Sequence, residues 1–280
     1  MFRDSAVRVI GRYGSLVVVM GFILLPGLWL LVSSLKTNQT IFSSTPSWLV
    51  EEGTLDHYAW ALGGRGLDMT RLMGNTLIVC VLTAAITAFF ACLAGYGLAR
   101  YQGKGARVAI IGLLIAQMVQ GPMIMLPWYQ IAMNLQLLDT RTILVLIYQT
   151  MTLPAAVWLM SGFFKNVPTE LEDAAQMDGA GRLRTLTSVI LPLTKPGLVA
   201  VGLYAFILAW NDYQYALIMT NSSSTRTVQI GIAQVMESMG AQNWGGILAA
   251  GVLAVVPVVV LFALAQRYLI QGLTAGAVKN

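Results

Sequence analysis

An all-α polytopic membrane protein with six transmembrane helices is the fold class this sequence predicts, and three observations predict it. Hydrophobic residues make up 57% of the 280 and charged residues only 10%, against about 25% charged in a soluble globular chain. Mean hydropathy is +0.71. The charges are spaced so that uncharged runs cover 13–35, 72–99, 108–138, 142–164 and 238–266, each long enough for the ~20 residues of a spanning helix. A sixth run, 196–225, is interrupted only by Asp212 and spans if that carboxylate sits near an interface.

The first run outlasts a cleavable hydrophobic region of about 7–15 residues, and no small-residue cleavage site follows it, so it reads as a retained anchor. Residues 36–71 form the longest external segment. Pro46, Gly53, Gly63, Gly64 and Gly66 make it loop with one interfacial helix, and Trp48, Tyr58 and Trp60 suit a membrane interface. His57, the single histidine, has no ligand partner in sequence and reads as solvated. In the second run Cys80 and Cys92 have no His or acid beside them, so they read as apolar packing and not as a metal site. Ala91, Gly95 and Ala99 there, and Gly246, Ala250 and Ala254 in the last run, recur at four-residue spacing and let helix backbones approach closely.

Glycines and charges in "ARYQGKGAR", 99–107, end one helix and start the next. In "MVQGPMIMLPWYQI", 118–131, Gly121, Pro122 and Pro127 interrupt helical hydrogen bonding. Two readings stand side by side: a kinked helix lining a pathway, or a span that ends early and continues as an external amphipathic segment. Met118, Met123, Met125 and Met133 read as adaptable packing. No internal repeat points to an inverted-repeat secondary transporter.

Loop charges set the orientation. With the N-terminus in the cytoplasm, Arg3, Arg8, Arg12, Arg100, Lys104, Arg107, Lys165, Arg182, Arg184, Lys195, Arg267 and Lys279 lie inside, and Lys36, Arg65, Arg71, Arg141 and Arg226 outside, which accounts for all 17 Lys and Arg. The excess favours both termini inside. The net charge of +5 then follows from topology and calls for no nucleic-acid partner.

That orientation puts "ELEDAAQMDGAGRLRTLTSVILP", 170–192, in the cytoplasm. Asn166, Val167 and Pro168 make a helix entry. Glu170, Glu172 and Asp173 then sit at the positive end of the helix dipole. Ala174 and Ala175 offer a flat face, Gly179 and Gly181 allow a sharp turn, and "LRTLTSVI" starts a second amphipathic helix that Pro192 ends. Such a helix, turn, helix serves either as an interfacial connector or as an element inserted into a groove of a soluble partner.

This stretch resembles the EAA loop of permease subunits in bacterial ATP-binding-cassette importers, with Asp173, Ala174, Ala175, Gly179, Ile190, Leu191 and Pro192 on the motif positions. The family's first residue is usually Glu. Here it is Asp173 with Glu172 just before it, which leaves open which carboxylate meets the partner. "FILAWNDYQYALIMT", 206–220, looks like the "WND" segment of carbohydrate permeases, and "QRYLIQGLTAGAVKN" is similar to the tail of the maltose-permease-like second subunit. The resemblance covers nearly the whole chain. It implies a type I ABC importer permease fold divided as 1–70 (first helix and external loop), 71–268 (core with the coupling loop 166–192) and 269–280 (cytoplasmic tail). It further implies a second permease subunit, two ATPase subunits, an extracytoplasmic solute-binding protein, and location in the bacterial inner membrane. Glu172, Asp173, Ala174, Ala175, Gly179, Leu191 and Pro192 would couple to the ATPase, with Gly179 the turn where a side chain would clash and the tail, 272–280, touching the ATPase dimer.

No P-loop is present, so the chain binds no cofactor of its own, and ATP and Mg belong to the partner ATPases. Carbohydrate sites pair aromatic faces with amides and carboxylates, which selects Trp128, Tyr129, Tyr148, Gln149, Trp210, Asn211 and Asp212 as pathway candidates. Asp212 also supports an alternative, a stand-alone proton-coupled transporter, although relays need chains of ionisable groups. A membrane-embedded enzyme lacks a nucleophile, base or metal cluster. Which sugar or polyol is carried is not written in the sequence.

Overall fold

In a computed structural model of the chain the described residues are 6–43, 45, 47–50, 53–63, 66–101, 103–118, 121–238 and 240–277, with backbone alone at 6–10, 240–241 and 269–277. Pro46, Gly64, Arg65 and 278–280 of the tail lie outside them. Among the described residues the regular structure is helical, with one isolated bridge between Lys36 and Gly53. The helices used below are α1 (Ala6–Ser34), α2 (Asp56–Leu62), α3 (Met69–Arg100), α4 (Lys104–Met118), α5 (Gly121–Asn134), α6 (Arg141–Lys165), α7 (Glu170–Met177), α8 (Arg182–Leu193), α9 (Lys195–Asn211), α10 (Gln214–Met219), α11 (Val228–Ser238) and α12 (Trp244–Ala277).

Four of these are long and apolar enough to cross a membrane, at Gly11–Ser34, Met69–Arg100, Arg141–Lys165 and Trp244–Tyr268. Two bent pairs, α4 with α5 and α8 with α9, bring the number to six if each is one span. The second pair bends by 80°. In the first, Gly121 and Pro122 open a new helix after Met118, as Pro tolerates a first turn where its missing N–H has no partner to lose. Pro127 lies inside that helix and does not end it.

The chain divides into two compact units. One comprises Met1–Thr70 and Gly231–Val256. In it the segment after α1 contains a helical turn, Asn38–Ile41, as well as α2, so it is more ordered than a loop with one helix. Ser34 Oγ and Tyr58 Oη are 2.6 Å apart. Asn38 donates to the Gln242 carbonyl at 3.2 Å and accepts from the Gly245 amide at 2.9 Å. His57 is buried, 8% exposed, which corrects the solvated reading: Nε2 donates to the Lys36 carbonyl at 2.9 Å. Its ring fills the space that a Cβ on Gly245 would need. A lone histidine with a backbone acceptor in reach is cheaper to bury than a charged side chain, and the local sequence does not reveal an acceptor twenty-one residues away.

The other unit, Arg71–Ile230 with Pro257–Asn280, holds both hydrophobic cores. α6 is central to them. Near its start Ile143, Leu144, Ile147 and Tyr148 pack with Val79, Cys80, Phe206 and Trp210. Near its end Ala156, Val157, Met160 and Phe164 pack with Ala91, Cys92, Ala99 and Ile190. The small-residue stripe of α3 is used as expected: a Cβ on Gly95 would come within 3.0 Å of Met160 Cβ and Ser161 N, so glycine sets that approach. Polar side chains join the same two helices, with Thr87 Oγ1 donating to Gln149 Oε1 at 2.9 Å and lying 2.8 Å from Thr152 Oγ1.

Candidate functional site

The 166–193 segment folds as two short helices about a glycine turn. α6 ends at Lys165, and Pro168 leads into α7, whose first turn carries Glu170, Glu172 and Asp173. At its far end the Gly179 amide donates to Gln176 O at 2.9 Å and the Ala180 amide to Ala175 O at 3.0 Å, a Schellman closure with Gly179 at φ +82°. A Cβ on Gly179 would meet nothing within 4 Å of this chain. The glycine is therefore required by backbone handedness and not, within the chain, by a steric clash.

α8 does not end at Pro192. Its backbone widens into a π-helical turn at Leu186–Ile190, continues through Leu191–Leu193, and breaks at Thr194. Pro192 has no N–H to offer the carbonyl of Ser188 and its ring crowds that carbonyl, and a wider turn just upstream relieves both. Ile190 is fully buried, Leu191 half-buried and Pro192 exposed.

Two adjacent carboxylates have opposite surroundings. Glu172 is 7% exposed. Its Oε1 accepts from Arg100 Nε at 2.6 Å and its Oε2 from Tyr96 Oη at 2.8 Å, and the same guanidinium donates through Nη2 to the Val167 carbonyl at 3.0 Å. Arg100 ends α3, and Tyr96, one turn earlier, packs edge-on against Phe164 with ring centroids 5.5 Å apart. The start of the 166–193 segment is thus clamped to the end of α3. Asp173, one residue on, is exposed, as are Leu171, Ala174 and Met177 on α7 and Leu183 on α8. The unclamped surface carries an apolar strip at 171, 174 and 177 with the exposed acids Glu170 and Asp173 beside it and Asp178 just past the helix end.

The seven pathway candidates do not form one site. Tyr148 and Asp212 meet, with the Tyr148 hydroxyl donating to Asp212 Oδ2 at 2.8 Å. That oxygen also accepts the Ala216 amide at 3.1 Å, so Asp212, just past the end of α9, caps the start of α10. Trp210 stacks on Phe206 at 5.5 Å, and Tyr129 packs beside the same core. Gln149 is turned toward Thr87 and the Thr83 carbonyl, and Asn211 donates to Ile207 O. Trp128 alone lines a cleft of about 480 Å³, together with Gln117, Gly121, Thr150, Met151 and Tyr204 from four helices. Gln117, Thr150 and Tyr204 were missed because each is a single uncharged residue in an apolar run. The available signal was polarity at mid-span. Among the described residues no cluster of metal-ligating side chains occurs.

A second polar knot lies between α5 and α6. Asp139, at φ +58°, accepts from the Asn221 and Ser222 amides at 2.9 and 3.0 Å and from the Thr225 hydroxyl. Burial disfavours its charge, but the hydroxyl and amide donors outweigh that and hold the carboxyl well below the usual carboxylate range.

Against known proteins, the sequence pattern of the binding-protein-dependent transport system inner membrane component matches residues 89–275. The inner membrane ABC transporter permease protein YcjP of Escherichia coli (strain K12) is 33% identical over 271 residues, covering 97% of this chain and 96% of that one. The trehalose/maltose transport system permease protein MalG of Thermococcus litoralis is 34% identical, with 92% of each covered. The diacetylchitobiose uptake system permease protein DasC of Streptomyces coelicolor is 32% identical over the whole of both. Among solved structures, a bacterial ABC transporter involved in the import of the acidic polysaccharide alginate superposes with a TM-score of 0.79 at 21% identity, over 96% of this chain and 99% of that one, a likeness of fold.

Proposed function

This chain belongs to the family of binding-protein-dependent transport system inner membrane components, among the sugar ABC transporter permeases, and from that membership we propose that it forms half of the translocation pathway of an ATP-driven sugar importer. Its partners in this reading are a second permease, two ATPase subunits that consume ATP and Mg, and an extracytoplasmic solute-binding protein. Both termini and the 166–193 segment face the cytoplasm. α7 is the coupling helix, and Asp173 is the carboxylate that meets a basic group on the ATPase. The observation that carries this assignment is the contrast between the two acids: Glu172 is engaged by Arg100 and Tyr96 within the chain, whereas Asp173 stands exposed beside Leu171, Ala174 and Met177. An apolar strip flanked by exposed acids, with Asp173 on the motif position and Glu170 at the helix start, suits insertion into a groove with a cationic wall.

The relatives' printed substrates, trehalose or maltose and diacetylchitobiose, support a sugar as the solute. The proton-coupled alternative is not favoured. Asp212 serves as a helix cap and as the acceptor for Tyr148, and a relay needs a chain of ionisable groups.

The test is purification from membranes in mild detergent through a tag on the 36–70 segment, followed by identification of what accompanies the chain. Recovery of an ATPase and a second permease is expected, with Asp173→Ala weakening ATPase recovery. Recovery of the chain alone, still competent for uptake, defeats the proposal.

A further inference from the structure

We infer that the cleft bounded by Gln117, Trp128, Thr150 and Tyr204 is a binding site on this chain for an uncharged sugar, and that it disfavours anionic ones. The inference rests on the sugar-permease reading for the word sugar. The word uncharged comes from the cleft itself.

Three features make the cleft a ligand site and not a packing defect. First, polar side chains from α4, α6 and α9 converge on it although each sits in an otherwise apolar run. Among the described residues neither the Gln117 amide nor the Tyr204 hydroxyl has a hydrogen-bond partner, and Thr150 spends its proton on the Ile147 carbonyl, 2.6 Å away, keeping its lone pairs. At membrane depth unpartnered polar groups are tolerated where they line a polar cavity, not where they meet lipid tails. Second, the cleft adjoins the start of α5, where Gly121 lines it and Pro122 leaves the first turn short of a donor. That helix start is anchored: Tyr215 Oη donates to the Gly121 carbonyl at 2.8 Å, and a Cβ on Gly121 would lie 3.3 Å from the Tyr215 oxygen. Third, Trp128 supplies a flat apolar face among these polar groups. An aromatic face with an amide and hydroxyls around it matches a pyranose ring, whose C–H face is apolar and whose rim is hydroxyl.

Charge selection follows from what the lining contains. Among the described residues no Lys, Arg or His borders the cleft, and no Asp or Glu. The N-terminus of α5 contributes roughly half a positive charge, and Pro122 removes one of its amide donors. That does not offset the dehydration of a carboxylate or phosphate in a site without a paired cation. Neutral hydroxyls exchange water for Gln117, Thr150 and Tyr204 at little cost.

The experiment uses the assembled importer in vesicles, with Cys80→Ala and Cys92→Ala as background and single cysteines introduced as Gln117→Cys or Thr150→Cys. A charged, membrane-impermeant thiol reagent is expected to label both positions. Maltose, trehalose and diacetylchitobiose serve as uncharged probes, and glucuronic acid and glucose 6-phosphate as anionic ones. At least one uncharged probe is expected to slow labelling several-fold, and the anionic probes to leave it unchanged. In uptake, Trp128→Ala is expected to raise KM roughly tenfold, the scale of one lost ring contact, with Trp128→Tyr restoring most of it and kcat little altered. No labelling, equal protection by anionic sugars, or an unchanged KM in Trp128→Ala each overturns the inference. Copurification of the ATPase and ATP dependence of uptake, scored in parallel, report on the permease reading, so the two can fail separately.

Discussion

Replacing Arg100 with alanine removes three interactions at one point: the ion pair to Glu172 Oε1, the support for the carboxylate that also accepts from Tyr96, and the donor to the Val167 carbonyl. The two side chains of the pair are 18% and 10% exposed, so solvent screens the loss incompletely. A charge-assisted hydrogen bond contributes about 1.5–3 kcal/mol and stranding a buried partner costs about 3–5. For this partly screened site about 2–4 kcal/mol is expected, one and a half to three decades in the local opening equilibrium at about 1.4 kcal/mol per tenfold. Hydrogen exchange across 166–178 should therefore speed up by that factor while the amides of 143–157 in α6 keep their protection. If α7 couples to the ATPase as proposed, the same variant in the assembled transporter should hydrolyse more ATP per solute moved, because α7 loosened from α3 moves without carrying α3 along. Arg100→Ala/Glu172→Ala should be milder than the sum of the singles, since the double variant strands no charge. Additive singles and doubles, or unaltered exchange over 166–178, would falsify the clamp.

Gly179→Ala forces a side chain into the left-handed region and should destabilise the turn by about 1–2 kcal/mol, with Gly179→Asn milder; equal thermal stability of the Ala variant and the parent would show that the turn is not held at φ +82°. Asp139→Ala should lower the thermal midpoint and raise exchange at 221–225, where the carboxylate gathers amide and hydroxyl donors. Because the folded carboxyl titrates below the unfolded one, its contribution is fully present above about pH 4 and is lost as pH falls below that value toward the folded one. The gap between parent and variant should therefore be flat from neutral pH to about 5 and close in stronger acid; a gap that closes near neutrality refutes this. Asp212→Asn keeps an oxygen for both Tyr148 and the Ala216 amide, so uptake should persist and stay insensitive to collapse of the proton gradient, whereas loss of uptake in Asn with the fold intact would return Asp212 to a protonic role.

The spans were legible because a bilayer imposes a composition rule, and charge spacing alone located the four long spans, Gly11–Ser34, Met69–Arg100, Arg141–Lys165 and Trp244–Tyr268, to within six residues at each end. The turn at Gly179 was legible because glycine at a helix end states its own backbone need. What failed to show was pairing across distance. Arg100 reads as one more basic residue in a turn until Glu172, 72 residues later, is placed against it. His57 reads as solvated until the Lys36 carbonyl and the bare surface of Gly245 are beside it. Packing of 231–256 with the first 70 residues has no local signature either. The pathway candidates favoured charged and aromatic clusters near Asp212, where Tyr148 and Asp212 satisfy one another, whereas the cleft is lined by single polar residues on separate helices.

α3 and α6 hold the two ends of the site together. They meet at Gly95 against Met160 and Ser161, at Thr87 against Gln149 and Thr152, and at Tyr96 against Phe164, and beyond the end of α6 Arg100 of α3 reaches Glu172 of α7. α6 also carries Thr150 and Met151 at the cleft and Tyr148 against Asp212. Close-packed interiors shift as blocks more readily than they deform, so a helix pair fixed at three levels is a lever. If the 166–193 segment is displaced by an ATPase, its attachment to α3 through Glu172 and its covalent continuity with α6 make both helices follow. Thr150 and Met151 then move relative to Trp128, which sits on α5 across the cleft. Coupling of this kind needs no ionisable relay between the loop and the cleft, and on the proposed reading it would run through the buried carboxylate Glu172, which ties the loop to α3. Arg100→Ala should accordingly spoil coupling without spoiling ATPase recovery, whereas Asp173→Ala should weaken ATPase recovery itself.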